Sequence, residues 1–304
     1  MIDKANHSHD LTVEERKFIL RRSLNAVPFF QYMPYDVIAG TSRQEQYVAK
    51  REVNQDFFLT EQKGNFSDVF DDTNSLFNIN IYLASNGRSI YGYNKGQPIP
   101  TGQVTTEGRF DTVVGLQKFD DRQRENISYP IRRGETILSE IVNVNPKAAN
   151  ATARLMLSGY TPARYSYITS EVQEAINRSL TRSPNFQIFK FTVDFEGIKY
   201  RNIENDNTPR LILGFGVQNG TSQKANIPES YISIEDARRA LKWTSERVPL
   251  EFIAPRLTCV LDTHIYYLPI EYFFEPFGNL RFQVENIYQD EDFGYEFFAL
   301  TRTI

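Results

Sequence analysis

The chain has 304 residues, of which 40% are hydrophobic, so it is long enough for two domains that each bury a core. A formal net charge of −4 excludes the strong basic excess typical of proteins that coat nucleic acid, and we expect no specific nucleic-acid binding. A single cysteine excludes an intrachain disulfide and a cysteine-rich zinc site, while 23 Phe and 17 Tyr favour strands.

The first predicted element is a helix in "TVEERKFILRRSL", where Thr12 and Glu15 have the spacing of a capping box. Basic residues interleave with its apolar residues, so no single apolar stripe forms. Two interpretations stay open: the helix packs on its own domain, or it contacts a neighbouring subunit or an anionic lipid surface. For the second interpretation, the candidate contact residues are Arg16, Lys17, Phe18, Arg21 and Arg22.

The stretch after this helix, "PFFQYMPYD", is predicted to be an extended, proline-punctuated connector. Strand-like alternation follows, most clearly in "LFNINIYLASNG", and a long Gly- and Pro-rich loop is predicted over residues 86–108. A helix interrupts the strands in "TSEVQEAINRSLTRSP", which has capping-box spacing at its start and ends before Pro184. We interpret this helix as a linker between two strand-rich halves.

Strands resume in "FQIFKFTVDFEG" and "RLILGFGVQNG", and a second long loop is predicted over residues 218–231. A third helix is predicted in "SIEDARRALKWTSERV", with Ser233 as its N-cap. The remaining segments to the last residue again have the pattern of strands. Many short strands without a βαβ rhythm predict a sandwich or barrel rather than a doubly wound sheet.

No motif brings catalytic residues together in the sequence. The glycines of "GFGVQNG" do not open a helix, so they offer no helix N-terminus to a phosphate. His264 stands beside Asp262 without the context of a nucleophile, and the acidic pairs lie in predicted turns. We therefore predict no enzymatic activity, no cofactor and no metal site.

Two segments suggest an internal repeat. At a shift of 143 residues, "ILSEIVNVNPKAANATARLML" aligns its apolar positions with those of "LRFQVENIYQDEDFGYEFFAL". Each segment is predicted to be a hairpin, and each is preceded by a tyrosine and a Pro-Ile pair, at Tyr129-Pro130-Ile131 and at Tyr267 with Pro269-Ile270. The repeat predicts two strand-rich halves of jelly-roll size.

The paired segments and the helix "SIEDARRALKW" resemble the double jelly-roll major capsid proteins of tailless icosahedral phages and viruses that hold an internal membrane. The resemblance is architectural and implies a mainly β fold of two tandem jelly-roll β-barrels with a few short helices. The bounds it implies are an N-terminal helix and extended arm over 1–46, a first jelly roll over 47–165, a helical linker over 166–185 and a second jelly roll over 186–304.

This family resemblance implies a major capsid protein that forms trimeric capsomers of an icosahedral shell over an internal membrane. Its partners would be the homotrimer, neighbouring capsomers and the lipid membrane, which the N-terminal helix would contact. The protein would be made in the host cytoplasm and reside in the virion. Deletion of residues 1–25 is then predicted to leave a folded trimer with impaired attachment.

Two alternatives stay open. The chain has the composition of another virion β-protein, such as a tail, collar or spike component. It also has that of a jelly-roll protein that binds or cleaves carbohydrate, which would need an aromatic patch and two facing acids.

Overall fold

A computed structural model describes the greater part of the chain, and its elements are mainly strands. The described residues are 11–34, 46–67, 77–85, 88–91, 99–104, 109–112, 129–143, 152–163, 168–219, 230–254, 265–287 and 294–304. Most of the two predicted long loops, over 86–108 and 218–231, lies outside these residues, as do residues 35–45 of the predicted arm.

The described elements are three helices and nineteen strands. The helices are α1 (Val13–Leu24), α2 (Ser170–Leu180) and α3 (Leu250–Ile253). The strands are β1 (Ala26–Pro34), β2 (Gln46–Glu52), β3 (Phe57–Ser67), β4 (Phe77–Ser85), β5 (Arg88–Tyr91), β6 (Ile99–Val104), β7 (Arg109–Thr112), β8 (Tyr129–Ile131), β9 (Thr136–Asn143), β10 (Thr152–Pro162), β11 (Phe186–Val193), β12 (Gly197–Glu204), β13 (Arg210–Asn219), β14 (Ser230–Asp236), β15 (Leu241–Lys242), β16 (Val248–Pro249), β17 (Tyr266–Phe274), β18 (Asn279–Asn286) and β19 (Tyr295–Thr303).

The chain divides into two compact units, and one of them is discontinuous in sequence. The split unit comprises residues 1–28 and 162–304, and the middle unit comprises residues 29–161. α1 and α2 both belong to the split unit. The segment predicted as an extended connector contains most of strand β1, which pairs with β10 in the middle unit.

The described strands of the split unit form two antiparallel sheets. One has the order β11-β19-β13-β17, and the other has the order β12-β18-β14-β15, with β16 also paired to β14. We number the strands of this unit from one (β11) to eight (β19) and count the short β15 and β16 as one interrupted strand. The first sheet then has the order 1-8-3-6, and the second has the order 2-7-4-5. This is the strand order of a jelly roll, in which the chain passes repeatedly between two facing sheets.

The described strands of the middle unit have the same order if β5 and β6 count as one strand and β7 and β8 as another. Its first sheet has the order β1-β10-β3-β7, with β8 also on β3, and its second has the order β2-β9-β4-β5, with β6 also on β4. The first and last strands are therefore neighbours in one sheet, as they are in the split unit.

The predicted 143-residue repeat coincides with the strand bounds. At that shift Thr136–Asn143 falls on Asn279–Asn286, which are β9 and β18, and the first residue of β10 falls on that of β19. The prediction that each pair is a hairpin is wrong, because β9 and β10 lie in different sheets, as do β18 and β19. Alternating apolar residues specify a half-buried strand but not which sheet it joins.

The prediction of a third helix in "SIEDARRALKWTSERV" is also wrong. This helix therefore no longer supports the resemblance to double jelly-roll capsid proteins. Residues 230–236 form strand β14, in which Ile232 and Ile234 are buried. The Asp236 carboxylate then accepts hydrogen bonds from the backbone N–H groups of Arg238 and Arg239, which makes a tight turn. Ala240 follows with φ +54°, a left-handed conformation that a helix does not contain.

Aromatic side chains fill the space between the two sheets of the split unit. Phe215 and Phe297 have ring centroids 5.2 Å apart, and Phe282 lies 5.3 Å from Phe297. The only tryptophan, Trp243, is fully buried and packs 4.5 Å from the ring of Tyr272. The high aromatic content of the sequence thus forms an inter-sheet core.

The outer face of the β11-β19-β13-β17 sheet carries a second apolar layer. Leu20 of α1 and Ile176 and Leu180 of α2 pack in one cluster with Leu211 of β13 and Phe273 of β17. Both helices therefore cover this face of the sheet, and α1 is part of the packed structure of the split unit.

Candidate interaction surfaces

Helix α1 carries all five residues predicted to contact a membrane or partner, and the structure separates them into two groups. Arg16 is 6% exposed and donates hydrogen bonds to three carbonyl oxygens: that of Leu180 at 2.8 Å, of Arg182 at 2.9 Å and of Ile304 at 3.2 Å. Its guanidinium therefore satisfies carbonyls at the C-terminal end of α2, where a cation is favoured. Arg22 is half-buried and forms an ion pair with Glu271 of β17.

The other group faces outward. Phe18 is 57% exposed, Arg21 is exposed, and Lys17 is partly exposed and forms an ion pair with Glu14. The predicted capping box is present, since the Thr12 backbone N–H and hydroxyl bind Glu15 and hold the pKa of that carboxyl below its usual value. α1 therefore presents one outward patch of a phenylalanine between two basic residues.

Within the described part of the chain, no helix is long and apolar enough to cross a bilayer. The same residues contain no group of three or more acidic, histidine or cysteine side chains placed to hold a metal ion.

A second surface lies at one end of the split unit, where three turns meet. The connection between β12 and β13 contributes Asn205, whose side-chain Nδ2 lies 2.8 Å from the Thr208 carbonyl oxygen, 3.1 Å from that of Phe274 and 2.8 Å from that of Glu275. This amide therefore joins its own turn to the turn between β17 and β18.

Phe277 is at the tip of the β17–β18 turn. Its φ is +58°, which is rare for a bulky residue, and its side chain is 71% exposed. Its backbone N–H donates to the Asp206 carbonyl at 2.8 Å, and the Gly278 N–H donates to the Glu275 carbonyl at 3.0 Å. The turn therefore holds an exposed aromatic ring in a strained backbone conformation.

The third turn, between β14 and β15, is tied to the same structure by arginines. Arg239 donates to the Asp236 carboxylate at 2.6 Å and to the Phe273 carbonyl at 3.1 Å, and both Arg239 and Asp236 bind the Tyr272 hydroxyl. Arg238 forms an ion pair with Glu275 at 3.3 Å. We call the three turns 205–209, 237–240 and 275–278 the platform. Hydrogen bonds and ion pairs connect these turns, and most of their charged side chains are paired with one another.

The sequence indicated neither Phe277 nor the burial of Arg16. Glycine after Phe277 signals a turn but does not reveal the left-handed residue before it. Arg16 differs from Lys17 and Arg21 only in the face of the helix it occupies, and interleaved apolar residues left that face undefined.

Comparisons with known proteins give structural likeness without sequence similarity. No family model and no curated protein matches the chain. The major capsid protein P2 from bacteriophage PM2 aligns over 90% of this chain and 97% of its own, with 9% identity and a TM-score of 0.27. The PBCV-1 virus capsid aligns over 92% and 95%, with 9% identity and a TM-score of 0.26. N-glycanase F aligns over 92% and 95%, with 9% identity and a TM-score of 0.23.

Proposed function

We propose that the protein is a viral structural protein, a major capsid protein whose trimers form the capsomers of an icosahedral shell over an internal membrane. The observation that carries the proposal is the presence of two units with jelly-roll strand order in one chain. Jelly rolls are common in viral capsids, although lectins and cupins share the fold. The proposal includes the double jelly roll as the architecture, the virion as the location and the absence of enzymatic activity.

Shell assembly requires surfaces that neighbouring subunits can bind. The platform supports this role for two reasons. The strained backbone of Phe277 is typical of sites where function needs a fixed conformation. Its exposed aromatic ring is of the kind that often anchors a protein interface. The outward patch of α1, with Lys17, Phe18 and Arg21, suits an anionic membrane surface. Arg16 and Arg22 are removed from the proposed contact set, because each is engaged inside the split unit.

The test of this function is the oligomeric state of the purified full chain. We expect mass photometry to give a trimer, and negative-stain electron microscopy at higher concentration to show trimers in hexagonal arrays. A protein that stays monomeric at all concentrations and binds or cleaves glycans on an array would contradict the proposal and favour the carbohydrate alternative. Trimers that assemble into rods or fibres would favour a tail, collar or spike component.

Replacing Phe277 by asparagine is expected to weaken assembly without weakening the fold. Asparagine tolerates a positive φ better than phenylalanine, so the free energy of unfolding should stay constant or rise by up to about 1 kcal/mol. Loss of the aromatic ring should raise the concentration needed for assembly at least about tenfold, since an interface anchor typically contributes 2 kcal/mol or more. Light scattering against concentration and urea denaturation measure the two quantities.

Ala240→Gly is the matched control for Phe277→Asn. It relieves the other positive φ found among the described non-glycine residues and removes no exposed ring. We expect it to stabilise the fold slightly and to leave assembly unchanged. If Phe277→Asn assembles like the natural chain, the platform is not a subunit contact.

A further inference from the structure

Arg302 of β19 is a buried cation in an apolar layer. It is 5% exposed and lies in β-sheet register with Phe186 of β11 and Leu211 of β13. Both of these partners, and Leu300 and Ile304 on either side of Arg302 along the chain, belong to the cluster that packs with α1 and α2. Because side chains two apart share a sheet face, Arg302 lies on the helix-covered face.

Among the described residues, the hydrogen-bond partners of this guanidinium are incomplete. Its Nε has no hydrogen-bond acceptor, and no acidic side chain of the described residues forms an ion pair with it. Glu271 is close enough to favour the charged form of Arg302, but its carboxylate is bound by Arg22. Burial lowers the pKa of Arg302, and the neighbouring Arg16 lowers it further.

The local charge is therefore unbalanced. Arg22 forms an ion pair with Glu271, and Arg302 interacts electrostatically with Glu271 and with Arg16. Carbonyl dipoles compensate Arg16, and Arg22 takes Glu271 in an ion pair, so Arg302 has only a share of that one carboxylate. A buried charge without an ion-pair partner is strongly unfavourable, and a bound ion is one way in which such a group is satisfied.

We propose that Arg302 is the centre of a binding site for one small oxyanion, of the phosphate or sulfate class, between α1 and the β11-β19-β13-β17 sheet. A guanidinium presents parallel N–H groups that match two oxygens of such an anion. Because Arg302 is 5% exposed, a phosphate carried by a lipid or a polymer could reach it only if α1 moved away, so the proposed ligand is a small free ion. The second positive charge of Arg16 nearby adds to the attraction.

Thermal unfolding followed by tryptophan fluorescence tests this site, because Trp243, the only tryptophan, is buried in the split unit. At saturating inorganic phosphate, we expect the Tm to rise by about 3 °C relative to sodium chloride of equal ionic strength. Isothermal titration with inorganic phosphate should give one site per chain.

Arg302→Met should abolish the phosphate-dependent rise, and it should raise the Tm in chloride because it removes a buried charge that no ion pair stabilises. Arg302→Lys keeps the charge and should retain a reduced phosphate response. Arg281→Met removes a partly exposed arginine that pairs with Glu235, and it should leave the response intact.

Three outcomes would overturn the proposal. The first is an equal Tm in phosphate and chloride. That result would mean that water, and not an anion, solvates the terminal nitrogens of Arg302. The second is a phosphate response that persists in Arg302→Met, which places the ion elsewhere. Should Arg302→Met fail to fold, an undiminished response and unchanged phosphate affinity in Arg302→Lys would count equally against the site.

Discussion

Replacing Arg16 by methionine is expected to lower the free energy of unfolding of the split unit by about 3 kcal/mol. Methionine fills the volume of the arginine stem but donates no hydrogen bond, so the carbonyls of Leu180 and Arg182 lose a charged donor. Urea denaturation followed by Trp243 fluorescence measures the change, and the midpoint should fall while the slope stays constant.

Arg21→Met is the control, since Arg21 lies on the same helix but is exposed. Its effect on stability should be within about 0.5 kcal/mol. The same variant tests the membrane proposal, because it should reduce co-flotation of the protein with anionic vesicles. Equal loss of stability in both variants would contradict the role given to Arg16.

The role of Arg16 also changes what is expected of an N-terminal deletion. The arm hypothesis predicted that removal of residues 1–25 leaves a folded trimer. In the structure that deletion removes Arg16 and Leu20, and it uncovers the apolar layer on the sheet. We therefore expect the deleted protein to unfold in the split unit, so a point variant such as Arg21→Met is the better probe of attachment.

Gly214→Ala is expected to destabilise the split unit by about 3 kcal/mol. A Cβ at this position would lie 2.3 Å from the carbonyl oxygen of Tyr266, on the neighbouring strand β17. The obstacle is backbone rather than a flexible side chain, so β13 and β17 must separate. Their register already shifts between Ile212 and Gly214. Urea denaturation followed by Trp243 fluorescence checks the prediction.

Gly197→Ala separates this steric effect from the conformational effect of losing glycine. Gly197 has φ +77°, but a Cβ there meets no atom within 4 Å. We expect about 1 kcal/mol of destabilisation from backbone strain alone. If Gly214→Ala were no worse than Gly197→Ala, the close approach of β13 to β17 would not limit stability.

The sequence predicts strands correctly where one face of the strand is buried and the other is exposed to solvent. In β18, Leu280, Phe282 and Val284 alternate with polar residues, and their match to β9 at a 143-residue shift gave the repeat. Sheet membership could not be predicted, because it depends on contacts between distant strands. For the same reason, the connections from β9 to β10 and from β18 to β19 were predicted to be hairpins, although each joins two different sheets.

Two local errors have local causes. Strand β1 was interpreted as a connector because of Pro28 and Pro34. Among the described strands β1 pairs only with β10, at the edge of its sheet, where proline is tolerated. In the false helix, Ile234, Ala237 and Leu241 have helical spacing by coincidence. The turn at Asp236 and the left-handed conformation of Ala240 prevent a helix here, and the pattern of apolar residues predicts neither of them.

The candidate surfaces were predictable only in outline. The sequence identified α1 as a basic, aromatic helix and gave its capping box, both of which the structure contains. It could not decide which arginines point inward, because that depends on where α2 and β19 lie. It also gave no indication of Phe277 or Arg302, since an exposed strained residue and an unpaired buried charge exist only in three dimensions.

The discontinuity of the split unit has a consequence for synthesis on the ribosome. Arg16 is made early, but its acceptor at Ile304 is 288 residues away. At about 5–20 residues per second, α1 waits roughly 15–60 s for the strand it docks on. The middle unit, whose residues are contiguous, is complete long before then. Nascent α1 therefore exposes its apolar residues while the middle unit folds, which makes this interval the stage at which chaperone binding would help most.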